Sequence, residues 1–355
     1  MRRLRRCLFA GILLVTAGCG STPSGAVAPA SPGGRTQPGP VVARLMPSVS
    51  STRAQSPVGA VPSAGNLPVS VANPPVSLAI LPSALRLPTA TTRAVAFPSG
   101  KGFVVAGGLT PTGTTGRVVR VGLDGRPATT VGRLVHPVHD AAGAELYGSL
   151  FVFGGGAGTQ DAWVQRLAAD GRSVVAGQLP ARRADLSAVA FGSEVIIVGG
   201  GSSGRADPRV LATTDGTHFR VVAVLPIAVR YAAVAVTGSR VMVFGGISAA
   251  GDTGLIQSID PVRGTAAVVG RLPQPTSHAT ALVVGGVVIV AGGRHASRAL
   301  DAVVAVDPAS FVSRVAGRLP RPASDAAGVV VDGVGYLVGG EADRPLATIV
   351  TIAAA

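Results

Sequence analysis

Six residues that could do chemistry together stand at equivalent places along the chain. Arg93, Asp140, Asp185, Tyr231, His278 and Asp325 each follow a leucine by six positions. A second set, Arg205, Arg294, His295, Glu341 and Arg344, lies shortly after paired glycines. Guanidinium groups fork onto carboxylates and phosphates, and an imidazole exchanges protons near neutral pH. His278 with Asp325 or Glu341 is therefore a candidate acid and base for proton transfer on a small substrate. If the residues converge, they form a binding surface for a polar ligand. Arg93, Asp140, Asp185, Tyr231, His278, Asp325, Arg294 and Glu341 are the residues expected to line it.

Other chemistry finds less support. His136-x-x-His139-Asp140 supplies metal-ligand types, but its loop contains proline and offers no fixed helical face, so no metal site is expected. Gly200 to Gly204 satisfies G-x-S-x-G, yet no helical pattern follows to make the strained strand–turn–helix elbow that exposes a nucleophile. Lys101, the only lysine, precedes Gly102, which excludes a G-K-[ST] phosphate loop. The two cysteines are Cys7 and Cys19, so the chain after them has no thiol for catalysis, metal ligation or disulfides. No cofactor is expected.

The elements that must position these residues are repeats. Diglycines begin at Gly107, Gly154, Gly199, Gly245, Gly292 and Gly339, spaced 45 to 47 residues apart, and a leucine stands 20 positions before each. Proline follows that leucine in five copies and Val135 in the other. Each copy carries four short apolar runs separated by turn signals, which reads as four antiparallel strands. Such a period with four strands per unit predicts an all-β, six-bladed propeller, since no single unit buries both faces alone. The blades are Leu87–Arg133, Leu134–Gln178, Leu179–Val224, Leu225–Arg271, Leu272–Arg318, and Leu319 to the end. The runs before the diglycines are continuously apolar, as in EVIIVGG and RVMVFGG, so these second strands are expected to be buried on both faces. The alanine-rich first strands suit the crowded axis. Asp124-Gly125, Asp170-Gly171, Asp215-Gly216, Asp260-Pro261 and Asp307-Pro308 fall between third and fourth strands and read as turn formers rather than catalytic acids. The sixth copy lacks a fourth strand, and Val76 to Arg86 is the segment predicted to supply it and close the ring.

Ahead of the repeats, MRRLRR, the apolar Cys7 to Val15 and the small residues Thr16-Ala17-Gly18 form a secretory leader, residues 1–18. The 12 residues from Cys7 to Gly18 are too few to span a bilayer, which takes about 18 or more. The leader's end, V-T-A-G-C, resembles the bacterial lipobox, which implies a lipid on Cys19 and attachment to the outer face of the plasma membrane, or its periplasmic side where an outer membrane exists. Residues 19–75, rich in Pro, Ser, Gly and Ala, read as an extended tether, and residues 76–355 as the propeller. With the four leader arginines and three tether arginines set aside from 31 basic residues, 24 remain against 17 acidic ones, a balance of +7. Only 4% of residues are aromatic, which argues against a nucleic-acid platform.

The order of Leu-Pro, an apolar strand, a second strand ending in Gly-Gly, a variable loop, and Asp with Gly or Pro before a last strand resembles the kelch repeat over Val76 to Ile352. The tyrosine that usually follows the diglycine and the tryptophan of the fourth strand are replaced by Val, Leu and Ala, and Trp163 falls in a third strand. The resemblance implies that inter-blade and diglycine loops open on one side, around the channel mouth. It also brings two functions into view. The favoured one is a monomeric, non-catalytic module that binds a protein or a cell-envelope glycan. The alternative is an enzyme of the sugar mutarotase kind, acting through His278 with Asp325 or Glu341. Copper oxidases on such propellers need a tyrosine crosslinked to cysteine, which this chain cannot form.

Overall fold

The computed structural model describes residues 77–168 and 170–355, which lie within one compact unit, Leu67–Ala355. The leader, Cys19 and the tether lie outside the described residues. The described part is all β: six four-stranded antiparallel sheets, each in the order first, second, third, fourth strand, form a six-bladed propeller. Blade one, for example, runs Val95–Pro98, Gly102–Ala106, Arg117–Gly122 and Thr129–Arg133. The diglycine loops of blades one, four and five fold back as two-residue ribbons, and in blade three Arg205–Ala206 pairs with the end of the second strand.

The predicted closure is present. Leu78–Arg86 pairs antiparallel with Thr348–Ala354 and is the outermost strand of blade six, with Ile80 opposite Ile352. Pro82 sits opposite Val350, and the register shifts between Pro82 and Arg86. An outer strand tolerates the missing proline donor. First and last parts of the folded chain thus share one sheet.

From their second residue to the diglycine the second strands are buried, as in Phe103 to Ala106 and Val195 to Val198, because each sheet packs against a neighbour on both faces. Phe97, Phe103, Phe153, Phe244, Ile196, Ile197 and Ile289 are among the largest fully buried side chains. The six opening leucines are also buried, and each donates its backbone N–H to the loop of the preceding blade, for instance Leu272 to Gly254 at 2.7 Å and Leu319 to Asp301 at 2.7 Å. The turn aspartates accept from backbone N–H groups two or three residues on, such as Arg126 onto Asp124 at 3.2 Å and Ala309 onto Asp307 at 2.8 Å. They act as turn formers.

The diglycine is a latch between blades. Gly292 has φ +63°, and a Cβ there would meet the Ala323 carbonyl of the next blade at under 3.0 Å. That same carbonyl accepts the N–H of Gly293 at 2.8 Å. Only a residue without a side chain lets the two backbones come so close. The bond recurs at all six junctions, from Gly108 to Val138, Gly155 to Arg183, Gly200 to Val229, Gly246 to Thr276, and Gly340 to Thr91, at 2.7–3.0 Å.

Candidate functional site at the channel mouth

The six predicted ring residues meet around the axis, and their backbones form a closed belt. Asp140 N donates to Arg93 O at 3.2 Å. Asp185 then donates to Asp140, Tyr231 to Asp185, His278 to Tyr231, Asp325 to His278, and Arg93 to Asp325, each at 2.9 Å. To aim N–H one way and C=O the other, every member adopts left-handed backbone, with φ between 54° and 62°. A left-handed residue with a side chain is strained, by about 1 kcal/mol or more for most types.

The diglycine loops come to the same side. The residue before each ring member bridges to the residue two places after the first glycine: Thr92 to Leu109, His139 to Gly156, Ala184 to Gly201, Arg230 to Ile247, Ser277 to Arg294, and Ser324 to Glu341. Only blades five and six place charges at the second of these positions, so Arg294 and Glu341 make the mouth lopsided.

The side chains there form one network. Arg93 reaches Asp140 Oδ2 through Nη1 at 3.2 Å and Glu341 Oε1 through Nη2 at 3.3 Å. Its Nε lies 3.9 Å from Asp325 Oδ1, is buried and makes no hydrogen bond. Arg294 pairs with the same Glu341 oxygen and donates from Nε to Ser324 Oγ at 2.8 Å, while Ser324 donates to Asp325 Oδ2 at 2.8 Å. His278 Nδ1 lies 2.6 Å from Asp325 Oδ1, and its ring stacks on Tyr231 with centroids 3.8 Å apart. On the far side Arg230 donates from Nε to Asp185 Oδ2 at 2.6 Å and stands over the Tyr231 ring at 5.3 Å. The network is recessed: the side chains of Asp325, Asp140, His278 and Glu341 are 4, 10, 10 and 13% exposed.

Burial decides the charge states. It pushes the Asp140 carboxyl up to about 7, against the pull of Arg93 and with help from Asp185 and Asp325. Asp140 therefore exchanges its proton near neutrality. Burial pulls Asp325 upward too, but there the hydrogen bond and charge of His278, then Arg93, win and hold it below the usual carboxylate range. An ionised Asp325 accepts from His278 Nδ1–H, which leaves Nε2 as the other ring nitrogen. Burial, then Asp140 and Asp185, raise the Tyr231 phenol, which stays a proton donor. Burial and Arg93 lower His139.

All eight expected ligand residues thus join this network or its belt. Arg205 and Arg344, also singled out in the sequence, do not join it, and among the described residues neither side chain makes an ion pair. His295 lies 3.7 Å from Asp252 in the neighbouring ribbon. His136 and His139 turn apart: His136 stacks on Trp163 at 4.7 Å, and His139 Nδ1 meets Thr114 Oγ1 at 2.9 Å. Among the described residues no three His, Cys, Asp or Glu are placed to hold a metal ion. Around Gly200 the strand Glu194–Ser202 passes straight through, so no nucleophile elbow forms. Sequence reasoning missed Arg230 and Ser324. Both stand one position before a ring residue, and that constant offset is the signal that could have found them.

A rigid six-bladed β-propeller with a polar site where its loops converge is the class of protein that these observations define. The solved structure titled "Structure of YjhT" is similar to it, with a TM-score of 0.66 over 75% of this chain and 96% of that one at 12% identity. No family profile matches the sequence, and no curated protein does.

Proposed function

We propose that the chain is a kelch-type propeller that works as a binding module outside the cell, moored by a lipid on Cys19, and that its mouth takes a saccharide of the cell envelope. The observation that carries this is the occupancy of the belt. Six left-handed positions, where glycine costs least, all hold polar or aromatic side chains in a chain that has 49 glycines to use. Such residues occur elsewhere, as at Tyr147 and Phe311, but only the rim holds one at all six equivalent positions. Arg93 and Tyr231 are types that take this backbone rarely, which points to side chains kept for a ligand. Alternating guanidinium and carboxylate groups suit vicinal hydroxyls, each of which both donates and accepts. Binding of the full chain to a panel of envelope saccharides, read by titration calorimetry, tests the reading. Saturable binding lost in Arg294→Ala supports it, whereas a bound partner pulled from envelope extract that is purely protein and indifferent to Arg294 refutes it.

A second reading is favoured by the acid–base pair itself. Anomer exchange needs a proton given to the ring oxygen and one taken from the anomeric hydroxyl. Because Asp325 is bonded to His278, its role would be to orient the imidazole, with Nε2 facing the sugar and Asp140, which titrates near neutrality, as the complementary group. Faster equilibration of a pure sugar anomer by the wild-type chain, lost in His278→Ala, supports catalysis. No acceleration of any sugar on the panel removes it.

A further inference from the structure

A second polar recess lies at the other end of the blades. The first-to-second turn and the third-to-fourth turn of blade two are both remote from the diglycine, since Leu167 pairs with Leu150 and Ser173, whereas Phe153 leads into Gly154. Between these turns and the outer strand of blade one is a cleft of about 720 Å³. Three arginines line it, Arg133, Arg166 and Arg172. Arg172 is neutralised by Asp170 at 2.7 Å. Arg133 and Arg166 are exposed, and among the described residues neither side chain has an ion pair or hydrogen bond.

The backbone brings these groups together. Arg133 and Arg172 form a parallel bridge between blades one and two. A Cβ on Gly132 would collide with Gly171 O, so the pair of glycines lets the strand and the turn touch. Ser173 Oγ fixes the junction, donating to Arg133 O at 3.0 Å and accepting from Val135 N at 2.8 Å. Arg166, between buried Gln165 and Leu167 on the third strand, projects the other way into the cleft. Gly148 and Gly171 leave its wall bare, and Ser149 adds a hydroxyl with no partner among the described residues.

We propose that this cleft binds a phosphate ester through Arg133, Arg166 and the Ser149 hydroxyl. Two unneutralised guanidinium forks and a hydroxyl suit a tetrahedral anion with three or four acceptor oxygens better than a planar carboxylate. The +7 balance of the folded part draws anions toward it. The ester can belong to a soluble phosphate or to a lipid headgroup, and the proposal is independent of the mouth.

The test uses the full chain carrying Cys19→Ala, so that no lipid obscures vesicle binding. It is titrated with inorganic phosphate and glycerol 3-phosphate, and sedimented with vesicles of phosphatidylcholine alone or mixed with phosphatidylglycerol. Arg133→Gln and Arg166→Gln are each expected to weaken binding about tenfold or more, as loss of a hydrogen bond to a charged group implies. Both arginines are exposed, so thermal melting is expected to stay unchanged, while His278→Asn leaves this binding intact. Affinity for the soluble esters assigns a soluble source, and affinity confined to anionic vesicles assigns a headgroup. Failure of both probes to bind, binding indifferent to the two arginines, or binding lost in His278→Asn overturns the proposal.

Discussion

His278 and Asp325 are joined twice across two blades: Asp325 N donates to His278 O at 2.9 Å, and His278 Nδ1 lies 2.6 Å from Asp325 Oδ1. The first bond belongs to the belt and any residue could make it, while the second depends on these side chains. A double-mutant cycle of His278→Asn and Asp325→Asn separates the two, since asparagine tolerates left-handed backbone. The expected coupling is about 1 kcal/mol or more, as for buried charge-assisted pairs. Additive effects in thermal or denaturant unfolding contradict it.

The Asp140 carboxyl rises from 3.8 to about 7 on folding. Between those values the folded state holds a proton that the unfolded state has lost, so this group makes stability fall as pH climbs from about 4 to about 7. Asp325, held low, acts in the opposite sense and loses stability as pH falls. The difference between wild type and Asp140→Asn isolates the first effect. Melting curves from pH 5 to about 8 are expected to show the variant gaining on wild type as pH rises. A constant difference across that range contradicts a carboxyl whose burial outweighs the pull of Arg93.

Glycine in the diglycine is required by a neighbour as well as by φ. Gly292→Ala meets Ala323 O, whereas Gly333, with φ +77°, has open space around it. Gly333→Ala is expected to cost about 1 kcal/mol, the strain of left-handed backbone alone. Gly292→Ala is expected to cost at least about twice that, because a latch also breaks. Equal losses in denaturant unfolding would show that the latch is unimportant.

Removal of residues 78–86 takes the outer strand from blade six and frees the edge of Thr348–Ala354. A propeller whose ring is no longer closed through one shared sheet loses its cooperative transition. Calorimetry showing a wild-type transition for the truncated chain refutes the closure.

The blades, the buried second strands, the closure strand and all six ring residues were legible in the sequence, because each repeats at a fixed offset from leucine or diglycine. Periodicity reports what every blade shares. It is silent where blades differ or where two of them meet. Arg230 and Ser324 escaped for that reason: their position is marked by a constant offset, but its occupants, Thr92, His139, Ala184, Arg230, Ser277 and Ser324, mix hydroxyl, imidazole, methyl and guanidinium groups. The proton held by Asp140 follows from burial and from the carboxylates of Asp185 and Asp325 on two other blades, against Arg93 on a third, and none of these shows in its own repeat. At the cleft of Arg133 and Arg166, Gly132 and Gly171, 39 residues apart, let two backbones touch, a contact that neither repeat shows by itself.

The most direct test of the mouth as a ligand site is titration of wild type and His278→Asn with envelope saccharides, alongside their melting curves. Asparagine keeps the left-handed backbone and the belt but removes the imidazole, so the account predicts a melting temperature changed by no more than a few degrees, about 1 kcal/mol, and affinity lowered about tenfold or more. Unchanged affinity, or a collapse of the fold with no wild-type binding to lose, contradicts it.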